Sequence, residues 1–119
     1  MIEALRRYAK QLRERLGRVT LVLFGSYARG DFNQWSDIDA LIVSDAFRGV
    51  RFLERWRLLP EPPAGLEALE PITWTPEEAR VMLEKPSWRT ALREAVVIVD
   101  DYGLFAAKRG STHHGAQPG

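Results

Sequence analysis

Residues 24–43 read FGSYARGDFNQWSDIDALIV, and this stretch decides how the rest of the chain is arranged. The apolar, β-branched run from Val19 to Phe24 predicts a buried strand, ended by Gly25. Ser26 to Gly30 predicts a turn or short helical segment, and Ile38 to Val43 a second buried strand entered from Ser36-Asp37. Ten residues separate Ser26 from Asp37, so a Gly-Ser turn and an Asp-x-Asp strand start face each other at neighbouring strand ends.

Side chains two apart on a strand share a face, which aims Asp37 and Asp39 together and sends Ile38 into the core. Carboxylates forced side by side repel unless a cation sits between them. Hard oxygen ligands on one face suit Mg²⁺, which completes its shell with water and phosphate oxygens. Gly25 can adopt positive φ and lets a backbone approach a ligand closely. The N–H groups of such a turn form a phosphate cradle, to which the Ser26 hydroxyl adds a donor.

Outward from this stretch, Ile2, Leu5, Leu12 and Leu16 repeat at helical spacing before Gly17. Residues 45–58 have mixed helical character, with Phe47, Val50, Leu53 and Trp56 as their apolar positions. Pro60 to Gly65 is a loop, and Leu66 to Trp74 is extended, with Pro71 confining it to a sheet edge or a strand end. Thr75-Pro76-Glu77-Glu78 is a helix start: an N-cap, a proline at the first helical position, acids in the first turn. A short helix from about Ser87 to Glu94 and a last strand, Ala95 to Val99, follow. Strands alternating with helices predict an α/β (α+β) domain, a single small mixed sheet with helices packed on it. Residues 1–105 are expected to form that domain, and 106–119, rich in Gly, Ser, Thr, His and Pro, a flexible tail.

Composition narrows the functions. The chain has 119 residues, no cysteine and a formal net charge of +1. Disulfide scaffolds, thiolate zinc sites and a cysteine nucleophile are excluded. No apolar run approaches the ~20 residues that cross a bilayer, and the charged N-terminus is not a signal peptide, so a cytoplasmic protein is expected. A near-zero net charge argues against general nucleic-acid binding. The length leaves no room for a large substrate domain, so a bulky substrate is expected to come from another molecule or a second copy in a homo-oligomer.

The Gly-Ser, ten residues, Asp-x-Asp pattern resembles the signature of the DNA polymerase β-like nucleotidyltransferase superfamily, and its minimal nucleotidyltransferase branch best. A weaker likeness runs from Gly65 through Asp101. The resemblance implies a polymerase β-like palm fold in which two Mg²⁺ ions sit on three carboxylates. Asp37 and Asp39 match the first two; Glu70 is the first candidate for the third and Glu67 the second. Ser36 could cap the turn and orient Asp37, and Arg29 could contact a phosphate of the bound ATP or other nucleoside triphosphate. A turn serine and a solvent-facing arginine are the plainer readings of those two. Tyr27 and the four tryptophans are better read as packing or partner-facing residues than as base-stacking ones.

The activity implied is transfer of a nucleoside monophosphate, AMP from ATP foremost, to a hydroxyl. Small members of the branch are often paired with a helical HEPN-domain toxin, so the acceptor implied is a tyrosine of such a partner and the role that of an antitoxin. A nucleotide- or partner-binding module without turnover is the alternative. Antibiotic modification and tRNA end-addition are disfavoured, because such members usually carry a further domain.

Overall fold

The computed structural model describes residues 2–25 and 38–105. Leu5, Tyr8, Ala9 and Leu12 recur on one side of helix α1, Ile2–Leu16, and are buried. Gly17, at φ 86°, stops the helix, its N–H returning to the Arg13 carbonyl at 2.9 Å. A four-stranded mixed sheet is formed by β1 (Thr20–Phe24), β2 (Ile38–Val43), β3 (Leu69–Trp74) and β4 (Val96–Asp100). The order is β3-β2-β1-β4. β1 runs antiparallel to β2 and β4, whereas β2 and β3 are parallel. β3 is an edge strand, as Pro71 requires.

Both faces of the sheet are covered. On one, Leu21, Leu23, Ile38, Ala40 and Ile42 meet Leu5, Tyr8 and Leu12 of α1, with Phe47 and Leu66 from the β2–β3 crossover. On the other, Val22, Phe24, Leu41, Val43 and Trp74 meet Ala79, Trp88 and Leu92. Those covering residues come from helices α2 (Pro76–Met82) and α3 (Pro86–Ala91) and the turn that follows. Each large side chain so buried contributes about 1.5–3 kcal/mol. Thr75 caps α2 in a full capping box with Glu78, with proline inside the first turn, as its sequence indicates. Pro86 opens α3 rather than preceding it, and the helix ends at Ala91, short of Glu94.

The crossover differs from its expected form. Residues 45–58 make two 3₁₀ segments, Asp45–Phe47 and Phe52–Leu58, instead of one helical stretch. Leu53 and Trp56, two of its apolar positions, are 78% and 61% exposed, and Arg55 is buried instead. The cause is long-range. The Arg55 guanidinium donates to the Val50 and Thr73 carbonyls and to both Glu78 carboxylate oxygens, at 2.6–3.0 Å. A fork with that many fixed partners outweighs the local apolar spacing.

At the far end of the sheet, Arg13 forks onto Asp101 at 3.0 and 2.6 Å, and the Val19 N–H donates to the same carboxylate. Residues 106–119, expected as a tail, lie outside the described residues. No helix among the described residues is long and apolar enough to cross a membrane.

The hydrogen bond from Arg55 holds the Glu78 carboxyl below its ordinary range, and that from Arg13 does the same for Asp101. A depressed carboxyl pKa adds stability above the unfolded value and loses it as pH falls through the folded one. Glu78→Gln is therefore expected to cost about 1 kcal/mol near neutral pH, discounted for the partial exposure of Glu78. It should also flatten the decline in stability towards about pH 3, as read by urea unfolding across that range. An unchanged acid limb would remove Glu78 from its causes.

Candidate active site

β1 delivers its C-terminal end, and β2 and β3 their N-terminal ends, to one edge of the sheet. Phe24 is opposite Asp39 in the β1–β2 ladder, and Asp39 is opposite Glu70 in the β2–β3 ladder. Alternation puts Asp39 on the face of Leu41 and Val43, and Glu70 on that of Ile72 and Trp74, which is the same side. Neighbouring strands lie about 4.8 Å apart, so the two acids rise side by side. Ile38 is buried on the opposite face, as expected.

Gly25 closes the arrangement on the β1 side. It has φ 81°, and a Cβ at this position would stand 2.4 Å from Oδ2 of Asp39. The carboxylate therefore rests against backbone that only glycine leaves open. Two acids converging beside a glycine turn suit a hard divalent cation, since their mutual repulsion falls when one binds between them. Among the described residues, no group of three His, Cys, Asp or Glu side chains gathers as a metal site.

Of the two candidates for a third carboxylate, Glu70 is the one beside Asp39. Glu67 sits in the turn ahead of β3, its carboxylate accepting from the Gly65 N–H at 3.0 Å. Ser26, Arg29, Ser36 and Asp37 lie outside the described residues, as do Tyr27 and Trp35. Beneath the two acids the same face is aromatic. Trp88 meets Phe24 edge-on at 5.8 Å between centroids and Trp74 at 4.8 Å. Phe24 and Trp74 are buried and Trp88 half-buried, in keeping with packing roles. Sequence reading missed Arg55, because nothing in the local spacing marks it; the only available signal was Glu78, a strong acid partner in a recognisable cap.

Comparison with known proteins shows the family and the fold. Residues 5–98 match the family model described as a nucleotidyltransferase domain. Two Methanocaldococcus jannaschii proteins, each named "Putative protein adenylyltransferase", are similar over part of their length. One is 47% identical over 45 residues, 36% of this chain and 45% of the relative. The other is 45% identical over 47 residues, 36% of this chain and 46% of the relative. The chain thus spans less than half the length of the curated relatives it matches. A crystal structure from Sulfolobus solfataricus, described as "a putative nucleotidyltransferase", shares the fold with a TM-score of 0.57 at 19% identity. That match covers 82% of this chain and 78% of the other.

Replacing Gly25 tests the close approach. Gly25→Ala places a side chain at positive φ, which costs about 1–2 kcal/mol, and drives its methyl into Asp39. A thermal melt should fall by several degrees, whereas Gly49→Ala, with the same sign of φ (77°) but open space around it, should cost the backbone strain alone. Equal losses at both positions would show that the contact with Asp39 carries no weight.

Proposed function

Because the chain belongs to the nucleotidyltransferase domain family, we propose that it transfers AMP from ATP to a hydroxyl group of a protein acceptor. The observation that carries this reading is the pairing of Asp39 with Glu70 on one sheet face against the Gly25 turn. The names of the two Methanocaldococcus jannaschii relatives support a protein as the acceptor. The resemblance of the Gly25-Ser26 and Asp37-Asp39 motif favours a tyrosine of a HEPN-domain partner, with an antitoxin role for this chain.

In this reading Asp37, Asp39 and Glu70 hold magnesium. When bound, the metal supplies Lewis acidity and neutralises triphosphate charge. The chain's own part is positioning. Gly25 leaves room for the Asp39 carboxylate against the backbone, and Ser26 offers a hydroxyl donor to a phosphate oxygen. Asp39 and Glu70, held opposite each other by the strand ladder, keep two carboxylates side by side where a bound magnesium would offset the triphosphate charge. The acceptor oxygen bonds to the α-phosphorus, the bond from that phosphorus to the bridging oxygen breaks, and pyrophosphate leaves. The hydroxyl proton passes to solvent. No covalent enzyme intermediate is needed, and orientation with electrostatics accounts for the rate.

Asp39→Asn and Glu70→Gln each remove one charge with little change of shape. Each is expected to lower AMP transfer from labelled ATP by about 10²–10³-fold. The assay uses the chain with Mg²⁺ and a co-purified or co-expressed acceptor, read as labelled protein and as released pyrophosphate. ATP binding without pyrophosphate release in the unaltered protein would replace the enzyme with a nucleotide-binding module. Full activity in Glu70→Gln would move the third carboxylate elsewhere.

A further inference from the structure

Arg55 is 5% exposed, and its bonds tie three elements together. Nε donates to the Val50 carbonyl within the crossover at 2.9 Å, and Nη1 to the Thr73 carbonyl of β3 at 3.0 Å. Nη1 and Nη2 fork onto Glu78 of α2 at 2.6 and 3.0 Å. The rings of Phe47 and Phe52 stand 5.9 and 5.7 Å from its guanidinium carbon. Burying a charge in this way is a poor route to stability, since an apolar residue of similar volume often does as well or better. What the guanidinium adds is fixed geometry.

That geometry bears on the edge strand. The Ala68 and Trp74 carbonyls accept from the Ile38 and Ser44 N–H groups of the neighbouring β2 segment. Alternation then sends the Leu69, Pro71 and Thr73 backbone groups to the open side of β3. On that side the Leu69 N–H is taken by the Leu66 carbonyl, Pro71 has no N–H, and the Thr73 carbonyl is held by Arg55. Glu70 therefore lies between two anchors, the turn bond at Leu69 and Arg55 about 10 Å further along the strand.

Resting on the reading of Glu70 as the third carboxylate, we propose that Arg55 is a positioning residue for the metal site. It clamps the open side of β3 to the crossover and α2, so that Glu70 keeps its place opposite Asp39. An edge strand has a ladder on one side only and otherwise shifts and frays more readily than a central one. Arg55 supplies the missing second side.

The test compares Arg55→Lys with Arg13→Gln, which breaks the fork to Asp101 at the opposite end of the sheet. Mn²⁺ binding by electron paramagnetic resonance, thermal melting, and kcat and KM for ATP are measured on each. Arg55→Lys keeps the charge but loses the fork. It is expected to weaken Mn²⁺ binding by about tenfold and to lower kcat by about tenfold or more, with KM for ATP within about twofold. Arg13→Gln should lose a comparable amount of melting temperature and move neither quantity.

If Arg55→Lys does not fold, Glu78→Gln carries the same expectation, because it frees the fork while leaving the guanidinium in place. Mn²⁺ binding in the Arg55 and Glu78 variants that equals that of Arg13→Gln overturns the clamp and leaves the Glu70 assignment standing. Mn²⁺ binding in Glu70→Gln that matches the unaltered protein overturns the assignment, and the clamp with it.

Discussion

The register of β2 within the sheet is the constraint from which everything else follows. This strand is covered on both faces, Ile38, Ala40 and Ile42 towards α1 and Leu41 and Val43 towards α2 and α3. Asp39 is its one charged residue, and it sits at the strand's open end. A slip of a single residue would turn Asp39 into the packed face against α1 and lift Ile38 and Ala40 out of it. Burying an unpaired carboxylate there costs far more than the chain's modest net stability can absorb. Packing energy thus holds the acid in place, and the same ladders bring Phe24 and Glu70 opposite it.

At the end away from the acids, Arg13, Asp100, Asp101, Thr20 and Tyr102 satisfy one another through hydrogen bonds that tie α1 to β1 and to the turn after β4. At the end of the acids, Gly25 brings backbone and carboxylate close together. Gly25 has no side chain to interpose, and the carboxylate beside it leans on bare backbone.

Much of this was legible in the chain itself. The continuous apolar runs of β1 and β2, the helical spacing of α1 and the capping box at Thr75 are local signals, and local physics sufficed to read them. The crossover was not legible in that way. Its form depends on Arg55 reaching Thr73 and Glu78, some twenty residues away, and no spacing rule reports such partners. Glu70 ranked ahead of Glu67 on the resemblance, but both fall within the extended run Leu66 to Trp74, where alternation alone cannot show which one meets Asp39. Only the parallel ladder, which sets Glu70 opposite Asp39 and leaves Glu67 to the turn, tells them apart. The segment that carries Ser26 and Asp37 stayed a matter of motif.

Pro71 and Arg55 also govern what the rim of the sheet can accept. An uncovered strand edge normally invites a further strand, from a neighbouring molecule or an unfolded chain, to zip onto it. Here the row of donors and acceptors is broken: one amide lacks its hydrogen, one faces its own turn, and one carbonyl is already capped. Such an edge is a poor template for a further strand. Glu70 is exposed on this rim, beside a strand whose outward backbone offers few groups for another chain to join.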